Sequence, residues 1–255
     1  MLMKAFALFI LSFNLSFSQE INPKLVISKI SEKVYVYTTY NEYNGTLFPA
    51  NGMYVLTEKG TILIDTPWDT TQFQVLLDSI KIKHKSDVTA CISTHSHDDR
   101  TAGLEFYAQK GIKTYSSFQT YNLCLVNKEK VAENYFVSDT TFQFGETKIQ
   151  TYYPGKGHTE DNIVIWLEKE KILFGGCFVK SIENDNIGNI ADADVKVWPK
   201  SIENLQNKFP NIKLVIPGHF KWSDSKSLKH TLKILKEYNK TQEKLIRQTK
   251  TEVKK

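Results

Sequence analysis

Apolar and polar residues alternate with a period of two along the first part of the chain, and this pattern predicts β-strands. Residues 33–39 and 53–56 both have it. A turn at residues 58–60 leads into a third strand at residues 61–65. The first half of the chain is therefore expected to open with β-strands, the last two of which are joined by a hairpin turn.

Helical spacing begins after these strands. Asp69 is a good N-cap, and the apolar residues that follow it recur every three or four positions to about Ile82. The remaining predicted elements of the first half are a strand at 88–93, a helix at 101–110, a strand at 113–115 and a helix at 117–126. Those of the second half are strands at 140–144, 148–153, 162–167 and 172–174, a helix at 200–209, a strand at 214–216 and a helix from about residue 224.

Each half thus contains strands followed by strand–helix alternation. Two packed sheets with helices on both outer faces would bury all these elements in one core. A doubly wound sheet would produce the same pattern, so periodicity leaves both open. No repeat with a period of roughly 20–50 residues is visible, which favours one domain over residues 19–255.

The N-terminus has the composition of a secretory signal peptide. Residues 1–4 form a short basic segment, and residues 5–17 are largely apolar. Ser16 and Ser18 are small residues that precede a plausible signal-peptide cleavage site before Gln19. A membrane anchor is the alternative, but the apolar run is shorter than the ~20 residues that span a bilayer. We therefore predict a signal peptide at residues 1–18 and a periplasmic protein.

Composition and charge exclude several classes of protein. Apolar residues make up 41% of the 255 residues and charged residues 24%, which excludes an intrinsically disordered protein. The three cysteines are too few for a small protein held together by disulfide bonds. Much of the net charge of +5 lies in residues 226–255. This stretch could be a nucleic-acid or membrane patch, or the solvated face of a terminal helix whose buried stripe contains Leu228, Leu232, Leu235 and Tyr238. We favour the solvated face, and expect a monomer with no nucleic-acid partner and no stable membrane insertion after signal removal.

The strongest chemical signal directly follows the buried strand at residues 88–93. His95, His97 and Asp99 lie in the sequence THSHDDR, which places three potential metal ligands on one loop. Three more residues of ligand type follow strand-like segments in glycine-containing turns: His158, Cys177 and His219. Ligands at the ends of several strands indicate a metal site.

In order and approximate spacing, these six residues resemble the ligand set of class B metallo-beta-lactamases of the first subclass. The segments DTPW at 65–68, GHTEDN at 157–162 and CFVK at 177–180 resemble family segments too. His95, Arg100 and Cys177 fit the first subclass better than the second or third. The resemblance implies an α/β fold, an αββα sandwich of two mixed sheets with helices on both outer faces.

The resemblance also implies two zinc ions. His95, His97 and His158 would bind the first, and Asp99, Cys177 and His219 the second, with Asp99 counted among the catalytic residues. A hydroxide held by the metals would hydrolyse the beta-lactam amide bond of penicillins, cephalosporins and carbapenems, giving antibiotic resistance.

The same resemblance assigns residues outside the metal set. Lys180 would pair with the substrate carboxylate, and Asn189 would assist the carbonyl oxygen. Residues 44–52 would form a hairpin over the substrate, with Leu47 and Phe48 as its apolar contacts, whereas Trp68 is expected to pack beneath the site.

Two other functions remain open from the sequence. One is a different hydrolase on the same fold, such as a thioesterase or lactonase, and the other is an exported zinc-binding protein without activity. Cys91 and Cys124 are expected to be buried thiols, although a disulfide is conceivable in an exported protein.

Overall fold

The computed structural model describes residues 24–43 and 45–252. The predicted signal peptide at residues 1–18 lies outside the described residues. The first of two sheets has its strands in chain order and contains β1 (Leu25–Lys29), β2 (Val34–Tyr43), β3 (Thr46–Thr57), β4 (Gly60–Ile64), β5 (Val88–Ile92), β6 (Lys113–Ser117) and β7 (Asn134–Phe136). The meander β1 to β4 is antiparallel, and β4 to β7 are parallel.

The second sheet has six strands in the order β13-β12-β11-β10-β9-β8. They are β8 (Thr141–Phe144), β9 (Thr147–Tyr152), β10 (Val164–Leu167), β11 (Ile172–Gly176), β12 (Leu214–Pro217) and β13 (Ser223–Asp224). All its pairs are antiparallel except β11 with β12. Both sheets are therefore mixed.

The two sheets bury one apolar layer between them. Val36, Met53 and Ile64 from the first sheet belong to the same buried cluster as Ile165 and Phe174 from the second. Alternate residues of a strand face opposite sides of its sheet, so apolar residues on the outer face of each sheet must be buried by other elements.

Helices cover these outer faces. α1 (Phe73–His84), α2 (Asp98–Thr101), α3 (Leu104–Gln109) and α4 (Phe118–Asn127) belong to the first half, and α5 (Trp198–Lys208) and α6 (Lys226–Glu252) to the second. Leu76 of α1 packs in one cluster with Leu63, and Trp198 of α5 packs in another with Leu173. The αββα sandwich is therefore confirmed, and the doubly wound alternative is wrong.

Most predicted elements are present with small shifts at their ends. Asp69 caps a 3-10 turn at Thr70–Gln72 that leads into α1. The helix expected at 101–110 is two helices, α2 and α3, joined at Gly103, where a Cβ would meet Thr66 at 3.0 Å. None of the helices in the described part of the chain is long and apolar enough to cross a membrane.

Candidate metal centre

The loop after β5 carries His95 and His97, and a buried aspartate fixes its start. Asp65, at the end of β4, accepts hydrogen bonds from the Thr94 backbone N–H at 2.7 Å and from the Thr94 hydroxyl at 3.0 Å. Asp65 adopts a left-handed backbone conformation (φ 63°), which an aspartate tolerates better than most residues. Burial raises the pKa of Asp65 to about 7, against the lowering effect of Arg100.

Three imidazoles meet beyond this loop. The ring centroids of His95, His97 and His158 lie 4.9 to 5.1 Å apart, and the rings are nearly perpendicular. Nδ1 of His97 is 3.2 Å from Nε2 of His158. Nε2 of His95 and Nδ1 of His158 are buried without a hydrogen-bond partner among the described residues. Nε2 of His95 is on the side of Asp99, whereas Nδ1 of His158 is on the ring edge away from His97. An unpartnered buried nitrogen is costly in an apolar setting, so the position of His95 Nε2 favours an additional bound group in the cluster.

Asp99, Cys177 and His219 form a second cluster beside the first. Oδ2 of Asp99 lies 3.2 Å from Nε2 of His219 and 3.4 Å from Sγ of Cys177, and that sulfur is 3.2 Å from the same imidazole nitrogen. Nδ1 of His219 lies 2.7 Å from the carbonyl oxygen of Pro49, which leaves Nε2 to face the cluster. Oδ1 of Asp99 is 4.0 Å from His95, so the two clusters adjoin.

Burial and neighbouring charges set the protonation of these groups. Burial lowers the pKa of His95 and of His158 well below the usual range, which keeps both imidazoles in the neutral, metal-binding form. Burial opposes ionisation of Asp99, but the Arg100 guanidinium outweighs it and holds the pKa of that carboxyl well below its usual range. Burial raises the pKa of the Cys177 thiol, so a bound cation is needed to make it a thiolate.

Arg100 ties the second cluster to both sheets. Its guanidinium is fully buried, donates two hydrogen bonds to Asp99, and lies 3.1 Å from the Cys177 sulfur. It also donates to the backbone carbonyls of Asn51 at 2.6 Å and Gly218 at 3.0 Å. The side chain therefore fixes the positions of the Asp99 carboxylate and the Cys177 thiol relative to both sheets.

Together these groups fit divalent metal ions. The sets His95–His97–Asp99, His95–His158–Cys177 and Asp99–Cys177–His219 each bring their ligand atoms within 4.8 Å of one another. Imidazole, thiolate and carboxylate are the donors that transition metals use in proteins. A bound ion would also give the unpartnered Nε2 of His95 a partner.

The chain is similar to known proteins. The sequence profile described as "Metallo-beta-lactamase superfamily" matches residues 45–219. The chain belongs to the metallo-beta-lactamase superfamily. It is 41% identical over 227 residues to "Metallo-beta-lactamase type 2" of Elizabethkingia meningoseptica, covering 89% of this chain and 91% of that protein. It is 42% identical over 210 residues to the protein of the same name from Bacillus cereus, covering 82% of each.

Solved structures agree with the sequence relatives. The metallo-beta-lactamase from Pontibacter korlensis superposes with a TM-score of 0.81 at 42% identity, over 83% of this chain and 99% of that chain. The superfamily membership implies metal ions at the clusters described above.

Both ligand clusters of this metallo-beta-lactamase superfamily member open into a cavity of about 740 Å³. Lys180 lines the cavity with its ammonium 5.3 Å from the centre of the Trp198 ring, and burial lowers the pKa of this amine. Asn189 lines it too, and its side-chain oxygen accepts a hydrogen bond from the Ala191 backbone at 3.1 Å. The Asn189 amide nitrogen is therefore the group that can donate into the cavity.

The β2–β3 hairpin forms one rim of the cavity. Phe48 lines it and packs against His219 and Phe220, with ring centroids at 5.1 and 4.7 Å. Leu47, 48% exposed, lies on the same hairpin but is not among the residues that line the cavity. The expectation that Trp68 packs beneath the site is wrong, because Trp68 lines the cavity and donates to Asp98 at 3.2 Å.

One contact has no counterpart in the sequence prediction. Oδ2 of Asp192 lies 3.0 Å from Nε2 of His97, on the side of the ring away from His158. Asp192 follows Asn189 in an irregular segment between β11 and α5, where no periodic pattern marks a functional residue. Cys91 and Cys124 are free buried thiols, as expected.

Proposed function

We propose that this protein hydrolyses the beta-lactam amide bond of penicillins, cephalosporins and carbapenems with two zinc ions, and so confers antibiotic resistance. The observation that carries the proposal is that the two ligand clusters and the buried Lys180 face the same cavity. Relatives 41% and 42% identical to this chain are named metallo-beta-lactamases, which supports the same activity here.

The two clusters divide the ligands between two zinc ions. His95, His97 and His158 would hold one ion, and three histidines that leave a position open are a typical catalytic zinc site. Asp99, Cys177 and His219 would hold the other. When bound, the zinc pair supplies Lewis acidity and a water that ionises near neutral pH.

Residues of the chain orient the reacting groups. Nε and Nη2 of Arg100 both donate hydrogen bonds to Oδ2 of Asp99, whereas Oδ1 of Asp99 faces His95. Asp99 can therefore orient the attacking water by accepting a hydrogen bond at Oδ1, and its low pKa keeps it an acceptor.

Lys180 and Asn189 would bind the substrate. Lactam antibiotics carry a carboxylate beside the scissile amide, and the ammonium of Lys180 is the cation that lines the cavity near the clusters. Donation from the Asn189 amide would stabilise negative charge on the lactam carbonyl oxygen. Phe48 and Leu47 would cover the apolar part of the substrate from the hairpin tip, with Phe48 nearer the metals.

The protein would act as an exported monomer. All the candidate ligands belong to the same chain, so no second copy of the protein is needed to complete the site. Signal cleavage before Gln19 would release the mature protein into the periplasm. Mass measurement of the exported protein tests this, and retention of residues 1–18 would contradict it.

The decisive experiment assays the zinc-loaded chain against one penicillin, one cephalosporin, one carbapenem and one uncharged ester. We expect lactam turnover that a chelator abolishes and zinc restores. Zinc binding without turnover would identify a binding protein. Ester turnover without lactam turnover would identify another hydrolase of the same fold.

A further inference from the structure

The C-terminal helix α6 extends beyond the surface against which it packs. Leu228 and Leu235 are buried beside α5, and Tyr238 packs partly against the same cluster. Among the described residues, the last side-chain hydrogen bond from α6 to the body is from Asn239, which donates to the Val195 carbonyl at 2.8 Å. From residue 240 to residue 251 every side chain except Gln242 is exposed.

We call residues 240–251 the overhang. Its length is about 18 Å at 1.5 Å per residue. An isolated helix of about 12 residues is only marginally stable in water. A surface that binds the overhang would therefore stabilise it.

Basic residues occupy one side of the overhang. Lys240, Lys244, Arg247 and Lys250 fall within roughly 120° of the helix circumference at 100° per residue, and Glu243 is the one acidic residue of the overhang within that arc. Nearer the body, Lys233 and Lys236 form ion pairs with Glu237 and Glu203. The four cations of the overhang form no ion pair with any residue that the structure describes.

Two exposed apolar residues lie on the part of the circumference that the four cations leave open. Leu245 and Ile246 are each 50% exposed, and Leu245 continues the face that Tyr238 presents to the body. The other residues on that part are threonines and glutamines. Exposed apolar side chains beside a row of unpaired cations are typical of a helix that lies in a membrane interface.

We propose that the overhang binds the surface of an anionic lipid membrane. The unpaired cations are attracted to anionic headgroups, and Leu245 and Ile246 enter the boundary with the acyl chains. Nucleic acid fits less well, because it would not use the apolar pair and the overhang has no aromatic residue on which bases could stack.

Co-sedimentation of the purified chain with vesicles tests the proposal. We expect binding to vesicles of equal parts phosphatidylglycerol and phosphatidylcholine at low salt, with little binding to phosphatidylcholine alone. The variant K240Q/K244Q/R247Q/K250Q should reduce binding by more than about tenfold. Its lactam hydrolysis in solution should be unchanged, since the overhang lies away from the cavity.

A matched control removes the same charge elsewhere. K59Q/K113Q/K148Q/K169Q changes four exposed lysines on other elements, and it should retain most of the binding. Equal loss in both variants would overturn the proposal in favour of general electrostatic attraction.

A second variant, L245S/I246S, separates lipid from nucleic acid. It should weaken vesicle binding and leave any binding to a heparin column unchanged. Unchanged vesicle binding by this variant, or preference of the parent chain for single-stranded RNA over vesicles, would overturn the lipid assignment. Absence of vesicle binding by the parent chain would do so directly.

Discussion

Asp192 Oδ2 lies 3.0 Å from Nε2 of His97, while Nδ1 of the same ring faces His158 at 3.2 Å. A carboxylate on the far nitrogen fixes the tautomer and orientation of a metal-binding imidazole, and losing such a partner typically costs about 10- to 100-fold in metal affinity. We expect Asp192→Ala to lower the affinity of the three-histidine site by about that factor, as measured by competition with a chromophoric chelator.

Asp185→Ala is the matched control for this prediction. Asp185 lines the same cavity but makes no hydrogen bond or ion pair with a candidate ligand in the described part of the chain. Its loss should leave metal affinity within about twofold. If the two variants have equal affinity, the Asp192 contact does not position His97.

Cys177→Ser tests the division of ligands between the two clusters. A serine hydroxyl is a poorer metal ligand than a thiolate, so the Asp99–Cys177–His219 site should lose its ion first. Metal counting after dialysis should give about one ion per chain for the variant against about two for the parent. Two tightly held ions in the variant would remove Cys177 from the ligand set.

Lys180→Met tests substrate binding. The methionine keeps an unbranched side chain against Trp198 but removes the charge. A charge-assisted hydrogen bond contributes about 1.5–3 kcal/mol, so kcat/KM for carboxylate-bearing lactams should fall about 10- to 100-fold.

Hydrolysis of an uncharged ester and metal content should be unchanged in the same preparation, and Lys180→Arg should retain part of the lactam activity. If the methionine variant hydrolyses the lactams as well as the parent does, Lys180 does not bind the carboxylate.

Arg100→Ala tests the buried charge network. It would leave Asp99 and Asp65 without their guanidinium partner in a fully buried setting, and breaking a buried pair costs about 3–5 kcal/mol. We expect the free energy of unfolding of the metal-free chain to fall by that amount in chemical denaturation. Lys130→Ala, which breaks the exposed pair with Glu105, should cost less than about 1 kcal/mol. Similar losses of unfolding free energy in both variants would show that Arg100 does not stabilise the buried carboxylates of Asp65 and Asp99.

Sequence periodicity predicted the central strands and most helices because their buried faces repeat regularly. It missed β1 and β7, which lie at the two edges of the first sheet. β7 has only three residues, and Tyr135 in its middle is 51% exposed. Such strands form because a neighbouring strand supplies hydrogen bonds, and that neighbour is not encoded in the local pattern.

The candidate ligands were identifiable from the sequence because imidazole, thiol and carboxylate groups follow predicted strands in a fixed order. Asp192 was not, because an exposed aspartate in an irregular segment has no signal of its own. Arg100 was used only to assign the subclass, yet its guanidinium contacts Asp99, Cys177 and Asp65. The position of Trp68 was wrong because its neighbours Tyr43 and His219 come from distant segments.

The sequence by itself determined the family, the order of the ligands and the chemistry that their donor atoms allow. Only the tertiary structure decided which atoms face each other. Asn51 on β3 and Gly218 after β12 are far apart in the chain, but a 2.8 Å backbone hydrogen bond joins them, and Arg100 donates to the carbonyls of both. Packing of the two sheets sets these distances, because the local pattern indicates which residues form a strand and which of them share a face, but not the neighbour that the strand meets.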